Sequence, residues 1–260
     1  MNRLFLFYML LPVIGLAQND VEIVKEYVVP EAKQAVAVDG NYFYVINSAS
    51  ITKHQKSDGK LVGDWNDSKG IIKHLNSGII INDKLYACNS NYPESPMAGS
   101  IEVFNPEHLE HIDNHSFGIG NGSPTWLDKH NGFWYVAFAH YTDRGSELNK
   151  NNSWTRLVKF DEEWRQIESW IFPEEIIEKF HGRSNSGGRI LPDGRILCTG
   201  HDAQEIYVMQ FPKMGFTLEW IKTIPMAGLG QGIDYEKVED EFFIYGINRS
   251  EKKVVVSKME

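Results

Sequence analysis

Five stretches of the chain repeat one phrase, a short apolar strand that ends on polar residues: FYVINSAS (43–50), LYACNSNY (85–92), WYVAFAHY (134–141), ILCTGHDA (196–203) and FFIYGINR (242–249). Each phrase follows a turn built on Gly, Asn or Asp, and another short apolar strand precedes it. Alternation of apolar and polar residues dominates these segments, as it does in half-buried strands. Self-similarity at a roughly constant spacing is typical of repeat folds. The phrases therefore predict a fold made of repeated β units.

The repeats also predict how the fold closes. Each unit reads as four strands, but the fifth stops one strand short at the C-terminus, and VEIVKEYVV (21–29) is available to complete it. A ring closed in this way leaves only short, protected sheet edges, which lowers the risk of aggregation. We therefore predict an all-β fold, a five-bladed β-propeller closed by the N-terminal strand, with a β-sandwich as the alternative. One short helix is expected in the enlarged loop PEEIIEKF (173–180).

Residues 1–17 predict a secretory signal peptide. They combine an early Arg3, an apolar run and small residues before a cleavage point after Ala17. Residues 18–260 are then a single β-propeller domain, periplasmic or secreted. No later stretch has the roughly 18 consecutive apolar residues that a membrane span requires. We expect a monomer with no membrane span.

The charge of the chain narrows its partners. A formal net charge of −9 argues against nucleic acid, because phosphate binding relies on a concentrated basic face. It does not argue against an anionic sugar, which a local cluster of Arg and His can bind on an acidic protein. The two cysteines, Cys88 and Cys198, lie in strands of non-adjacent units, and we expect buried free thiols rather than a disulfide.

Polar residues at the strand ends are the candidate site. In a propeller, the loops after the second strand of each blade meet the loops before the first strand on one face. Imidazoles and phenols transfer protons, while Arg, Asn and Gln bind carboxylates and hydroxyls. The predicted catalytic residues are His140, His201, Tyr141 and His74. The predicted substrate-binding residues are Arg249, Arg183, Asn91, Tyr92, Asn76, Asn248, His181 and Gln231.

Other chemistries find less support in the sequence. No Ser stands in a nucleophile-elbow phrase, and Asp202 is the only acid on these strand ends, so a carboxylate pair for glycoside hydrolysis is not favoured. Three converging imidazoles could hold zinc, but their spacing carries no local metal signature, and we assign no metal ligand. The sequence identifies no cofactor. The alternative is that the His and Tyr residues at the strand ends have a purely structural role, in which they form hydrogen bonds with neighbouring loops.

Four of the site phrases carry a resemblance to a known group of proteins. They are HLNSG (74–78), NSNYP (89–93), FAHY (138–141) and TGHD (199–202). Together with the signal peptide and the compact propeller, they resemble exported β-propellers of marine polysaccharide-degrading bacteria, of the polysaccharide lyase and ulvan oligosaccharide dehydratase kind. The resemblance covers the whole mature chain.

The resemblance implies a reaction. It is β-elimination on an acidic, uronate-containing oligosaccharide such as an ulvan fragment, by dehydration or chain cleavage, which leaves a 4,5-unsaturated uronate. Arg249 or Arg183 would bind the carboxylate, His140 or His201 would act as the base, and Tyr141 would act as the acid. Two other hypotheses remain open, a non-catalytic glycan-binding propeller and a metal-dependent hydrolase.

Overall fold

A computed structural model describes residues 21–259, so the predicted signal peptide (1–17) lies outside the described residues. The chain is 57% strand and 4% helix, which confirms the all-β prediction. One short helix, α1 (Glu174–Lys179), lies within the segment predicted to be helical. None of the helices among the described residues is long and apolar enough to cross a membrane.

Twenty strands follow one another in this part of the chain. The first ten are β1 (Ile23–Val28), β2 (Ala35–Asp39), β3 (Tyr42–Asn47), β4 (Ser50–Gln55), β5 (Leu61–Asn66), β6 (His74–Ile81), β7 (Lys84–Ser90), β8 (Ala98–Asn105), β9 (Glu110–Ile119) and β10 (Ser123–His130). The other ten are β11 (Phe133–Ala139), β12 (Arg156–Phe160), β13 (Gln166–Ile171), β14 (Gly187–Ile190), β15 (Ile196–Thr199), β16 (Glu205–Gln210), β17 (Glu219–Pro225), β18 (Leu229–Val238), β19 (Glu241–Asn248) and β20 (Lys253–Met259).

Most strands pair with their neighbours in sequence. Strands β6 to β9, β10 to β13 and β14 to β17 form three antiparallel four-stranded sheets. The remaining strands form an eight-stranded sheet in the order β1-β20-β19-β18-β2-β3-β4-β5. Within it, β18 and β2 meet at a single parallel pair, Gly232 with Ala35. Strand β1, predicted at 21–29, pairs antiparallel with β20, the last strand described.

Five strands form an inner layer: β2, β6, β10, β14 and β18. Each contacts the next, and β18 contacts β2. Small residues allow this convergence. A Cβ placed on Gly232 of β18 would lie 2.4 Å from the Cβ of Ala35 and 2.7 Å from the Cβ of Ser77. A side chain at this position would therefore push three inner strands apart.

An ion network ties the inner strands together. Arg189 on β14 donates from Nε to Oδ2 of Asp128 on β10, at 2.9 Å, and from Nη1 to Oδ1 of Asp234 on β18. Oδ2 of Asp128 also accepts the backbone N–H of Ile190, and Oδ2 of Asp234 accepts that of Val38 on β2. The three charged side chains are at most 12% exposed. Mutual neutralisation and these extra hydrogen bonds satisfy charges that water scarcely reaches.

The apolar core lies between neighbouring sheets. One cluster packs Cys88 of β7 and Leu127 of β10 against Trp134 and Val136 of β11. Both Cys88 and Cys198 are buried free thiols, as predicted. The outermost strands β5, β9, β13 and β17 are largely exposed, so the core sits toward the inner strands.

Candidate functional site

Loops from different sheets meet where the repeated phrases end. In an antiparallel sheet, the chain entering the first strand and the turn leaving the second lie at the same end. Side chains from these two kinds of connection contact one another between sheets. We call this group the rim cluster, and it comprises His74, Tyr92, Tyr141, Arg183, His201, Asp202 and Arg249.

Three aromatic rings form one row of the rim cluster. His74 begins β6, and its ring centroid lies 5.1 Å from that of Tyr92, in the turn after β7. The Tyr92 ring lies 5.0 Å from the ring of Tyr141, which follows β11. Nδ1 of His74 is 3.3 Å from Oγ of Ser48, in the turn after β3. Two repeat units therefore supply one imidazole and two phenols to a single chain of contacts, and Ser48 adds a third unit.

Arg183 extends this row. It lies between α1 and β14, and its Nη1 atom is 3.5 Å from the hydroxyl oxygen of Tyr92. The side chain is partly buried, and no carboxylate oxygen within residues 21–259 lies at ion-pair distance from it. A cation in such a position favours an external anion, because hydrogen bonds between ionised partners are the strong ones and burial reduces screening.

A second group of the rim cluster joins an imidazole, a carboxylate and a guanidinium. Nδ1 of His201 is 2.8 Å from Oδ2 of Asp202, in the turn after β15. Arg249, after β19, is ion-paired to Oδ1 of Asp202. Its guanidinium nitrogens also lie 3.3 and 3.4 Å from the two ring nitrogens of His201. Burial lowers the pKa of His201, and the Arg249 charge beside the ring adds to this against the opposing effect of Asp202.

The pKa shifts of the rim cluster determine which of its groups carry a proton near neutral pH. Burial lowers the pKa of His74 to about 4. Burial also lowers the pKa of His201, and the charges of Arg249 and Arg183 add to this, while Asp202 opposes it. Burial and the nearby Tyr92 raise the pKa of Tyr141, so its phenol keeps its proton. Near neutral pH the cluster thus offers neutral imidazoles, which accept protons, and a phenol, which donates one.

Asp202 carries the negative charge of the cluster. Burial alone would raise its pKa, but the hydrogen bond from His201 and the charges of His201, Arg249 and Arg183 outweigh burial and lower the pKa. An ionised Asp202 accepts the Nδ1 proton of His201 and so leaves Nε2 with the lone pair. Sequence reasoning noted the pair His201-Asp202 but did not include Asp202 among the predicted site residues. Ser48, beside His74, was not singled out either.

His140, predicted as catalytic, does not contact the rim cluster in the described contacts. Its side chain is 3% exposed and lines a separate cavity with Lys150, Trp154 and Arg156. Its neighbour Tyr141 belongs to the rim cluster instead. Consecutive residues at a strand end point in opposite directions, so one of this pair faces the rim and the other faces away.

Three predicted binding residues have their amide groups engaged within the fold. Asn91 bonds the Pro96 carbonyl and the Ala98 N–H, which folds its own loop. Asn76 is buried and donates to the Pro124 carbonyl. Oδ1 of Asn248 accepts bonds from the β19–β20 turn that follows it.

The other two predicted binding residues differ in their placement. Gln231 is buried and donates from Nε2 to the backbone oxygen of His201, at 3.0 Å, so it stabilises the backbone of the rim cluster at His201. His181 is exposed in the turn that ends α1, with a positive φ of 50°. Among residues 21–259, no three His, Cys, Asp or Glu side chains are grouped as a metal site would require.

The arrangement of sheets is that of a propeller-like all-β fold. No protein-family model and no curated protein matches this chain. Solved structures do match, among them a chain of a crystal structure of the mitotic checkpoint complex. That chain is similar over 99% of both chains, with 7% sequence identity and a TM-score of 0.51. At this identity the similarity concerns the fold alone.

Proposed function

We propose that this chain is an exported lyase that acts on an acidic oligosaccharide and is built on a five-bladed β-propeller. The substrate is a uronate-containing oligosaccharide such as an ulvan fragment, and the product carries a 4,5-unsaturated uronate. One observation carries the proposal. Arg183, a partly buried cation with no carboxylate partner among residues 21–259, stands beside a phenol, and its charge acts on the His201–Asp202 pair.

The propeller divides the eight-stranded sheet at its weakest point. Only the pair Gly232–Ala35 joins β18 to β2, so β2 to β5 make one blade and β18, β19, β20 and β1 make another. Each of five blades then has four strands. The cyclic contacts of the five inner strands support this division, and the pairing of β1 with β20 supports closure by the N-terminal strand.

The reaction assigns one role to each charge of the rim cluster. Arg183, aided by Arg249, binds the C5 carboxylate and makes the C5 proton more acidic. A neutral imidazole removes that proton, and the C–H electron pair forms the C4=C5 double bond. The bond between C4 and its oxygen breaks, and Tyr141 supplies the proton that the departing oxygen takes. Each part stabilises charge that develops during the elimination, which is where catalysis gains most.

We assign His201 as the base, with Arg249, whose Nη1 atom lies 3.4 Å from Nε2 of His201, leaving that nitrogen when it binds the substrate carboxylate. Asp202 accepts its Nδ1 proton and orients the ring, as a carboxylate does for other catalytic imidazoles. His74 is more committed to packing, because its Nδ1 atom faces Ser48 and its ring lies against Tyr92. We therefore assign His74 to positioning Tyr92.

Uronate oligosaccharides test the proposal directly. Incubation with the mature protein should raise the ultraviolet absorbance of the C=C–COO⁻ group, and mass spectrometry should show loss of water or a cleaved fragment. His201→Asn should lower kcat by about 100-fold, the lower range for loss of a general base. The matched control is His108→Asn, an exposed imidazole on the β8–β9 turn, which should keep full activity.

Two results would overturn the lyase proposal. One is no absorbance change across a panel of acidic oligosaccharides at substrate concentrations that saturate binding. That result, with binding lost in Arg183→Gln, would make the protein a glycan-binding propeller. The other is equal activity in His201→Asn and His108→Asn, which would remove His201 from the mechanism.

A further inference from the structure

The cavity beside His140 has the composition of a sugar-binding site. It measures about 440 Å³, within the usual range for small-molecule sites, and it lies along the sheet of β10 to β13. Its lining includes Trp154, Lys150, Arg156 and the hydroxyls of Ser153 and Ser169. None of these residues belongs to the rim cluster.

Trp154 provides a partly exposed aromatic ring. The side chain is 54% exposed although it sits in an ordered 3₁₀ turn, Asn152–Trp154, capped by the side chain of Asn151. Nζ of Lys150 lies 5.9 Å from the centre of its ring. An exposed tryptophan ring that borders a cavity offers a flat surface on which a sugar ring can stack.

Arg156 provides a positive charge that no carboxylate neutralises. It begins β12 and donates from Nη2 to Oδ1 of Asn121, at 2.8 Å. Within the described residues no carboxylate lies at ion-pair distance from Arg156, whereas Lys150 is paired with Glu147 at 3.0 Å. Burial lowers the pKa of Arg156, which indicates that its charge is poorly hydrated. An anionic ligand group would restore the missing interactions.

His140 borders the cavity as a neutral side chain. Its Nδ1 atom is buried with no hydrogen-bond partner, and the closest carboxylate, that of Glu147, is 3.6 Å away. Burial lowers the pKa of His140 to about 4, helped by the charge of Lys150, so the ring is neutral near pH 7. The ring therefore borders the cavity without adding a charge that would compete with Arg156 for an anion.

We propose that this cavity binds one anionic sugar residue, whose ring stacks on Trp154 while its carboxylate or sulfate group is held by Arg156. Sugar hydroxyls complete the site through Ser153 and Ser169. A stacking face, hydroxyl partners and a free cation together fit a charged sugar better than a bare anion. The site is separate from the rim cluster and does not depend on the proposed elimination.

Saturation-transfer NMR with small sugars tests this site. The parent protein is full-length Arg183→Gln, in which the rim cluster has lost its free cation. Glucuronate and glucose 6-sulfate are the charged probes, which separate carboxylate from sulfate, and glucose is the neutral probe. We expect at least one charged sugar to bind about tenfold more tightly than glucose, and Trp154→Ala to weaken that binding by about tenfold.

Matched controls keep the result interpretable. Trp220→Ala removes another exposed tryptophan, on β17, and should not change binding. Arg156→Gln should abolish the preference for the charged sugar, and circular dichroism checks that it folds. Equal affinity for glucose and both charged sugars would overturn the proposal. So would binding that sulfate ion displaces fully but Trp154→Ala leaves unchanged, which would mean an anion site only.

Discussion

Arg183 and Arg189 lie six residues apart, yet the fold treats them in opposite ways. Arg189 is bonded to two buried carboxylates, Asp128 and Asp234, and joins three inner strands. Arg183 has no carboxylate partner among residues 21–259 and meets only a phenol hydroxyl at 3.5 Å. The difference separates two uses of one side chain. A neutralised guanidinium holds strands together, whereas an unneutralised one at the rim is available to a ligand.

The largest effect should come from Arg189. Arg189→Gln leaves two buried carboxylates without their cation, so the free energy of unfolding should fall by about 3–5 kcal/mol. Urea denaturation followed by tryptophan fluorescence measures this. Arg165→Gln, which removes an exposed arginine with two surface ion pairs, is the control and should unfold at the wild-type midpoint. Equal midpoints for both variants would mean that the buried network does not hold the inner strands.

Arg183→Gln should show the reverse pattern. Because no ion pair is lost, the free energy of unfolding should stay within about 0.5 kcal/mol of wild type. The kcat/KM of elimination on a uronate oligosaccharide should fall by about 100-fold, since a buried charge contact to the reacting group is lost. Arg183→Lys should recover part of it, because lysine keeps the charge but not the paired hydrogen bonds. A large loss of stability in Arg183→Gln would place Arg183 with the structural arginines.

The fall of the free energy of unfolding at acidic pH should depend on His74 of the rim cluster. Burial lowers the pKa of His74 from 6.5 to about 4. Below about pH 6.5 the unfolded chain gains a proton that the folded chain does not, so the free energy of unfolding falls as the pH drops toward 4. The share of His74 is about 2 kcal/mol, reduced for its partial exposure. His74→Gln should flatten this fall in urea denaturation between about pH 7 and pH 4.5, and an unchanged slope would contradict it.

The repeat pattern in the sequence predicted much of this fold. Alternation and turn residues predicted the strands, and the strand missing from the fifth unit predicted the N-terminal strand that pairs with β20. The spacing of Ile176, Ile177 and Phe180 predicted the helix near 173–180. The network of Arg189 was not predicted, because Asp128 and Asp234 come from strands 61 and 45 residues away. Pairing over such distances depends on how the inner strands converge, which no local pattern records.

The sequence also predicted part of the candidate site, because the repeat pattern shows which loops lie at the same end of the sheets. The predicted site residues His74, Tyr92 and His201 do meet neighbours from other units, since antiparallel sheets bring those loops to one end. His140 and Tyr141 were expected to act together, yet they diverge, because consecutive residues face opposite sides. The sequence alone indicates that alternation. It does not indicate that Arg189 is paired with two carboxylates while Arg183 is paired with none among residues 21–259.

Arg249 is the intermediate case, and it should give the smallest effect. Like Arg189 it has a carboxylate partner, but Asp202 is 67% exposed, so water and salt screen the pair. Asp202→Asn should therefore lower the free energy of unfolding by less than about 1 kcal/mol, and high salt should erase the difference in urea denaturation. A loss as large as that of Arg189→Gln would mean that exposure of the carboxylate does not govern the strength of these pairs. A small loss would mean that Arg249 resembles Arg183 in being available to a ligand, because a substrate carboxylate can displace Asp202 from it.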